Sequence, residues 1–381
     1  MSSRVIIRLF AGLFALGMST TLPMSKAAAN TAITPANVNP AVATEAAPQL
    51  AANTSPLTLV RNINHGPSVN ALAFSRDGLW LATASGDSKL RVWNVNALLE
   101  GDERNYMRVV INLPAADTYA TSLAFSEDGQ WLMTGTYNGD FRRWDLNACN
   151  ARQNTCNYNL LQEKDYRAVE THVSFDPTGI LLAGANFDGT VTVWNWSDRT
   201  VQGVLEPETG SHGGDRLDGR FSSLAFSHDG RYLAAGSHNR SITFWDFDDS
   251  FRRVLTLETT FGIETIAFSP NSEILASGNL EGVELTALSY RRDRPEASDP
   301  ILLENPSRVT SLVFSPDGRH ILAGDSNGTL SVWDVEAESL VGRSEANQNH
   351  TKGILAVTHN AMNGLYATAS TDGIVKLWRL P

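Results

Sequence analysis

One frame recurs along the chain, and it restricts the fold more tightly than length or composition does. Phe74, Phe125, Phe175, Phe226 and Phe314 are each followed nineteen residues later by a tryptophan: Trp93, Trp144, Trp194, Trp245 and Trp333. Phe268 opens a further copy with Ala287 where the Trp is expected, and a last copy runs from His359 to Trp378. Repeats of this length are single supersecondary units that cannot bury their apolar faces alone, so neighbours must stack. After the Phe comes a tight turn, Ser75-Arg76-Asp77-Gly78 in the first copy and Ser126-Glu127-Asp128-Gly129, Asp176-Pro177-Thr178-Gly179, Ser227-His228-Asp229-Gly230 and Ser315-Pro316-Asp317-Gly318 in others. Ser or Asp opens such a turn by bonding nearby backbone, Pro presets φ at the second position, and Gly accepts positive φ at the close. Each turn therefore joins two antiparallel strands of a hairpin.

With the frame in place, the chain resembles the WD-repeat family. The Trp-Asp pair stands at Trp144-Asp145, Trp245-Asp246 and Trp333-Asp334, with Trp-Asn at Trp93-Asn94 and Trp194-Asn195. The resemblance implies an all-β fold, a seven-bladed β-propeller of four-stranded antiparallel blades over 57–381. It also implies a polar set in which a His before the first strand, a Ser or Thr and an Asp at the second turn bond to the Trp indole. His65, Ser85, Asp87 and Trp93 supply one full set, and His350, Ser370, Asp372 and Trp378 another. Elsewhere Asn138, Asn239 and Asn327 hold the Asp place. The implied role of these histidines is structural, since their spacing repeats with the fold.

Two departures carry expectations. The fifth copy lacks its Trp, and forgoing that burial costs about 1.5 to 3 kcal/mol unless neighbours fill the space, so this blade is expected to be the least stable. The chain also ends at Pro381, directly after the third strand of the last copy. The spare strand Leu57-Thr58-Leu59-Val60-Arg61 is expected to supply the fourth, closing the ring and covering an open sheet edge.

Ahead of the repeats, Arg4 and Arg8 flank the apolar run Leu9 to Met18, and Ala27-Ala28-Ala29 follows. This reads as a signal peptide over 1–29, with an uncleaved anchor as the alternative, and predicts an exported, periplasmic or secreted protein. Residues 30–56, rich in Ala, Asn, Thr and Pro, read as a flexible linker. The formal net charge of −11 drops by three, to −14, once Arg4, Arg8 and Lys26 leave with the leader. No basic run offsets it, which argues against nucleic acid as a partner. Cys149 and Cys156 are the two cysteines, close together in one loop. A disulfide is the favoured reading in an exported chain; two free thiols or half a metal site are the alternatives.

The loops expected between third and fourth strands, Asn96 to Asn105, Asn147 to Asn157 and Ser289 to Asp299, lie on one face of the ring. On the other, the resemblance places partner contacts around the channel mouth: Tyr119, Tyr137, Glu170, Phe187, Arg220, His238, Glu264 and Arg308, against Ser68, Gly86, Gly353 and Thr371 in the first and last blades. Exposed Tyr, Phe and Arg gathered in one sector are the ingredients of an interface hot spot. The loop Pro207 to Arg220 holds His212, Asp215 and Asp218, whose spacing is unspecific for a cation, and no metal or cofactor is assigned. No phosphate-binding Gly-rich loop, Gly-x-Ser-x-Gly elbow or His-Glu-x-x-His pair occurs, so no catalytic residue is assigned. The reading is a non-catalytic protein-binding scaffold, with a small-ligand or glycan-binding propeller as the alternative.

Overall fold

The computed structural model describes residues 55–102, 106–114, 119–150, 156–162, 172–186, 189–206, 220–291 and 294–380. The proposed signal peptide and nearly all of the linker lie outside them. The described residues form seven antiparallel sheets in ring order, one per copy of the repeat. Blade one shows the plan: Val69–Phe74, Trp80–Ser85, Lys89–Asn94 and Met107–Asn112 pair in sequence, innermost strand to outermost.

Blade seven has only three strands of its own, Ile354–Asn360, Leu365–Ser370 and Ile374–Arg379. Thr58–Asn64 pairs antiparallel with the last of these, Leu59 opposite Trp378 and Asn64 opposite Ile374. The closing strand runs three residues beyond the expected Arg61, and a register shift between Leu59 and Arg61 accommodates it.

The first turn folds as its residues dictate. Ser75 Oγ accepts the amide of Trp80 at 2.9 Å and donates to Asp77 at 2.5 Å, while Gly78 takes φ 71°. The same Ser arrangement recurs at Ser126, Ser227, Ser269 and Ser315. Seven apolar clusters fill the seven blade junctions. Leu90 and Val92 of blade one meet Leu132 and Trp144 of blade two, and Leu72 and Trp93 of blade one meet Leu365 and Leu377 of blade seven. Each blade is thus buried by its neighbours, the energetic pattern of a repeat array bent into a closed ring.

Blade five departs from the expected loop. Its third strand, Gly282–Arg291, is ten residues long and turns back into Arg294–Ala297, so a hairpin occupies the stretch expected as the loop Ser289 to Asp299. The expected Trp place, Ala287, is off by one: Thr286 lies opposite Leu275 as Trp93 lies opposite Leu81, because this copy is one residue shorter between those positions. Leu288 is buried in the junction with blade four, and Tyr290 stacks on Tyr232 at 5.3 Å with its hydroxyl donating to Ser272 O at 2.7 Å. The segment after Trp93 is likewise no plain loop. Val95–Glu100 is a short helix, opened by Asn94 Oδ1 accepting the Ala97 amide at 3.1 Å and closed at Gly101, φ 77°.

Candidate functional site

Second-turn residues and first-strand entries share one end of the blades because they are hydrogen-bonded to each other. Gly86 donates its amide to Ser68 O, Tyr137 to Tyr119 O, Ser326 to Arg308 O and Thr371 to Gly353 O, at 2.8 to 3.2 Å. In blade two this backbone link brings two aromatic rings together. Tyr119 and Tyr137 stack with centroids 4.8 Å apart and planes 25° off parallel, both half-buried. Aromatic pairs at this spacing add about 0.5 to 1.5 kcal/mol beyond their burial and present a rigid face to a partner. Around the ring, Arg308 reaches Glu264 at 3.4 Å, joining blades six and five. His238 is exposed beside Gly262, where an added Cβ would come within 2.6 Å of His238 O. Arg220 is half-buried, and its carbonyl accepts from Ser237 Oγ at 2.8 Å. Glu170 and Phe187 lie outside the described residues, as does the loop 207–219 with His212, Asp215 and Asp218. Among the described residues, no three His, Cys, Asp or Glu side chains gather as a metal ion requires.

Beneath this face lie the polar sets, and the two full ones differ. In blade seven, the Trp378 indole donates to Thr368 Oγ1 at 2.9 Å, Thr368 lies 2.8 Å from His350 Nε2, and Nδ1 lies 3.0 Å from Asp372. The carboxylate can only accept, so Nδ1 carries the proton, and with the ring neutral Nε2 accepts: the chain reads indole to hydroxyl, hydroxyl to Nε2, Nδ1–H to carboxylate. That order requires a neutral imidazole. Burial indeed holds the His350 pKa below its ordinary value, against the pull of Asp372.

In blade one the aspartate is taken. Arg91 Nη2 pairs with Asp87 at 2.6 Å, and neither ring nitrogen of His65 has a hydrogen-bond partner. His65 instead sets its ring edge to Trp93 at 5.1 Å. Burial, with Arg91 nearby, lowers its pKa to about 4, outweighing Asp87. Burial alone would raise the Asp87 carboxyl, but Arg91 keeps it below its usual value.

The indole's partner also differs from the expected one. Trp93, Trp144 and Trp378 donate to Thr83, Thr134 and Thr368 at 2.9 to 3.0 Å, whereas Ser85 and Ser370 stand two residues farther along. Residues two apart share a sheet face, and the indole leans only as far as the nearer one. Ser370 Oγ donates to Lys352 O at 3.0 Å instead. In blade six the nearer place is Ala323, opposite Ser331, and the Trp333 indole N–H is buried without a partner. Its polar set is rebuilt from Asn305, whose side chain meets Ser331 at 3.2 Å and Asp325 at 3.3 Å.

The opposite face holds a feature that repeat spacing does not signal. Arg143 lies between Trp131, 3.7 Å from its ring centroid, and Trp196, 4.1 Å away, tying blade two to blade three. The one sequence sign of it is a second Trp two residues after Trp194. On this side too, Cys149 and Cys156 stand at disulfide distance, with Cα atoms 4.0 Å apart, and pack on the junction of blades one and two.

Comparison with known proteins agrees with the geometry. The model of the WD domain, G-beta repeat family matches residues 57–94, 108–145, 160–195, 211–246, 301–334 and 344–379. The longest stretch left unmatched between them, 247–300, contains the first three strands of blade five, the copy that lacks its Trp. The chain is 24% identical to periodic tryptophan protein 2 of Arabidopsis thaliana over 79% of its own length and 33% of that protein's. It is 24% identical to small ribosomal subunit protein RACK1 of Drosophila melanogaster, covering 73% of this chain and 96% of the relative. It is 23% identical to human pre-mRNA-processing factor 17, covering 82% of this chain and half of the relative. The chain thus spans a third to a half of two of these relatives and nearly all of the third. These relatives correct the expectation of export. Their names attach them to the small ribosomal subunit and to pre-mRNA processing, intracellular settings, and a periplasmic or secreted location is not upheld. No helix among the described residues is long and apolar enough to cross a membrane.

Proposed function

Because this chain belongs to the WD domain, G-beta repeat family, we propose that it is a non-catalytic platform that holds protein partners on the face bearing the second turns. The stacked pair Tyr119 and Tyr137 carries this reading. Two rings fixed against each other by a backbone hydrogen bond lose little side-chain freedom on binding, which is what an anchor needs. In this proposal Arg220, His238, Glu264 and Arg308 supply polar contacts from the same face, and Glu170 and Phe187, which lie outside the described residues, are kept as candidates. The relatives named for a ribosomal subunit and for pre-mRNA processing support a role within protein assemblies. In the same reading, 57–381 is one propeller domain and 30–56 a tether ahead of it, and Cys149 and Cys156 are bonded to each other.

The test is quantitative affinity purification of the full chain and of a Tyr119→Ala, Tyr137→Ala variant from the cells that make it. Partners that depend on this face drop out of the variant while its melting temperature stays within a few degrees of the parent. The same partners in the same amounts from both chains would rule the site out.

A further inference from the structure

The outer strand of blade three is Val201–Leu205, and among the described residues its far edge has no neighbour in the sheet. Exposed edges are normally guarded by charge, and the outer strands of blades one, four, five, six and seven carry Arg108, Arg252, Glu304, Arg343 and Arg61. Blade three's strand is Val-Gln-Gly-Val-Leu, with Val201 and Val204 each 56% exposed. Beside it runs a groove of about 710 Å³, bordered by Gly203, Val204 and Glu206 on one side and by Phe251, Arg252 and Arg253 of blade four on the other. Phe251 lies over Gly203 so closely that a Cβ there would meet the ring at 3.0 Å.

The charges along this groove are ordered. Both outer strands start at the same end of the ring, after their third-to-fourth turns, so Arg252 and Arg253 sit at the starting end and Glu206 at the finishing end. Arg252 is shared with Asp249 at 2.5 Å and remains half exposed. Blade two's outer strand, Tyr158–Gln162, is also uncharged, but blade three's lies beside two arginines of blade four at its starting end and runs into Glu206 at its finishing end.

We propose that this edge pairs with the same edge of a second copy of the chain. A two-fold axis through Gly203 sets the strands antiparallel and carries Glu206 of each protomer to the Arg252 and Arg253 end of its partner. An isologous contact of this kind needs one surface complementary to itself, and an edge with an acid after its own strand at one end and two arginines of the adjoining blade at the other is that surface.

Sedimentation equilibrium of the full chain over a range of concentrations and salt tests it. The expected result is a reversible dimer weakened by salt, with a dissociation constant raised about tenfold or more by Val204→Lys and by Glu206→Arg. Protein bearing Arg252→Glu and Arg253→Glu also dimerises poorly alone, yet mixed with Glu206→Arg protein it recovers a dimer, because both cross-contacts then join opposite charges. Amide exchange at Val201–Leu205 slows as concentration rises, and thermal melting shows each variant folded. A parent chain that stays monomeric throughout, or a dimer indifferent to these substitutions, overturns the proposal. So does protection of this strand only on adding a different protein, which would assign the edge to a foreign strand.

Discussion

Asp87 pairs with Arg91 at 2.6 Å and thereby leaves His65, whose counterpart in blade seven bonds an aspartate, with no hydrogen bond at either ring nitrogen. The residue types of the two polar sets match, yet one is a connected chain and the other is broken by a cation two residues before the Trp. Lys376 holds that place in blade seven, but it reaches Gln348 O at 2.8 Å and leaves Asp372 to the histidine.

The broken set makes blade one acid-sensitive. The folded-state pKa of His65 is lowered from 6.5 to about 4, so below pH 6.5 the unfolded chain binds a proton that the folded chain refuses. Stability contributed by the neutral ring is therefore full above pH 6.5 and lost as pH falls toward 4, by about 3 kcal/mol at most. Denaturant melts from pH 7 to pH 4 should show this slope, and His65→Phe should flatten it. In Arg91→Met the freed aspartate accepts from His65 and the imidazole titrates higher by NMR; an unmoved titration would count against the assignment.

Blade six offers a repair. The Trp333 indole is buried without a partner, and Ala323 occupies the place where Thr83 and Thr368 serve their own indoles. Ala323→Thr should stabilise the fold by about 1 kcal/mol, the net worth of one buried hydrogen bond. Loss of stability on urea melting would show that the added methyl does not fit.

Ring closure depends on a strand far from its partner in sequence. Deleting 55–64 uncovers the last strand of blade seven along Ile374–Arg379 and opens the cluster that holds Ile63, Leu72 and Trp93. The whole propeller should melt lower, with exchange faster in blades one and seven first; an unchanged melting temperature would mean that the pairing contributes nothing.

The cysteine pair should resist alkylation until reduced. Reducing it relaxes a loop of sequence separation 7 and should cost about 2 to 3 kcal/mol by loop-closure entropy. Full alkylation of the native protein without reductant would show two free thiols.

The fold was legible because its signals are local and repeated. The spacing from Phe to Trp, the Gly that closes every first turn but that of blade five, where Ser272 takes φ 59°, and the spare strand before Asn62 each rest on backbone conformation or sheet pairing, which short stretches of chain decide. The polar sets were legible only as residue types. Whether an indole meets Thr83 or Ser85 depends on how a side chain leans across a face that both share, and whether Asp87 meets His65 depends on Arg91, a neighbour the repeat frame does not specify. Blade five shows the same limit. Thr286 holds the Trp place, and Tyr290, four residues on, stacks on Tyr232 of blade four because the third strand runs on into a hairpin; nothing in the spacing of the other blades announces it. The Trp131, Arg143 and Trp196 stack joins two blades through side chains 53 residues apart, Arg143 donating to Trp196 O, so no local pattern contains it.

The central claim is that partners dock on the face marked by Tyr137. The most direct measurement places the photo-crosslinking residue p-benzoylphenylalanine at Tyr137 and, separately, at Leu79, which precedes the second strand of blade one and so lies at the opposite end of the blades, 44% exposed. Illumination in the producing cells should yield discrete protein adducts from position 137 and few from position 79. Adducts formed equally from both positions, or from position 79 alone, would contradict the account.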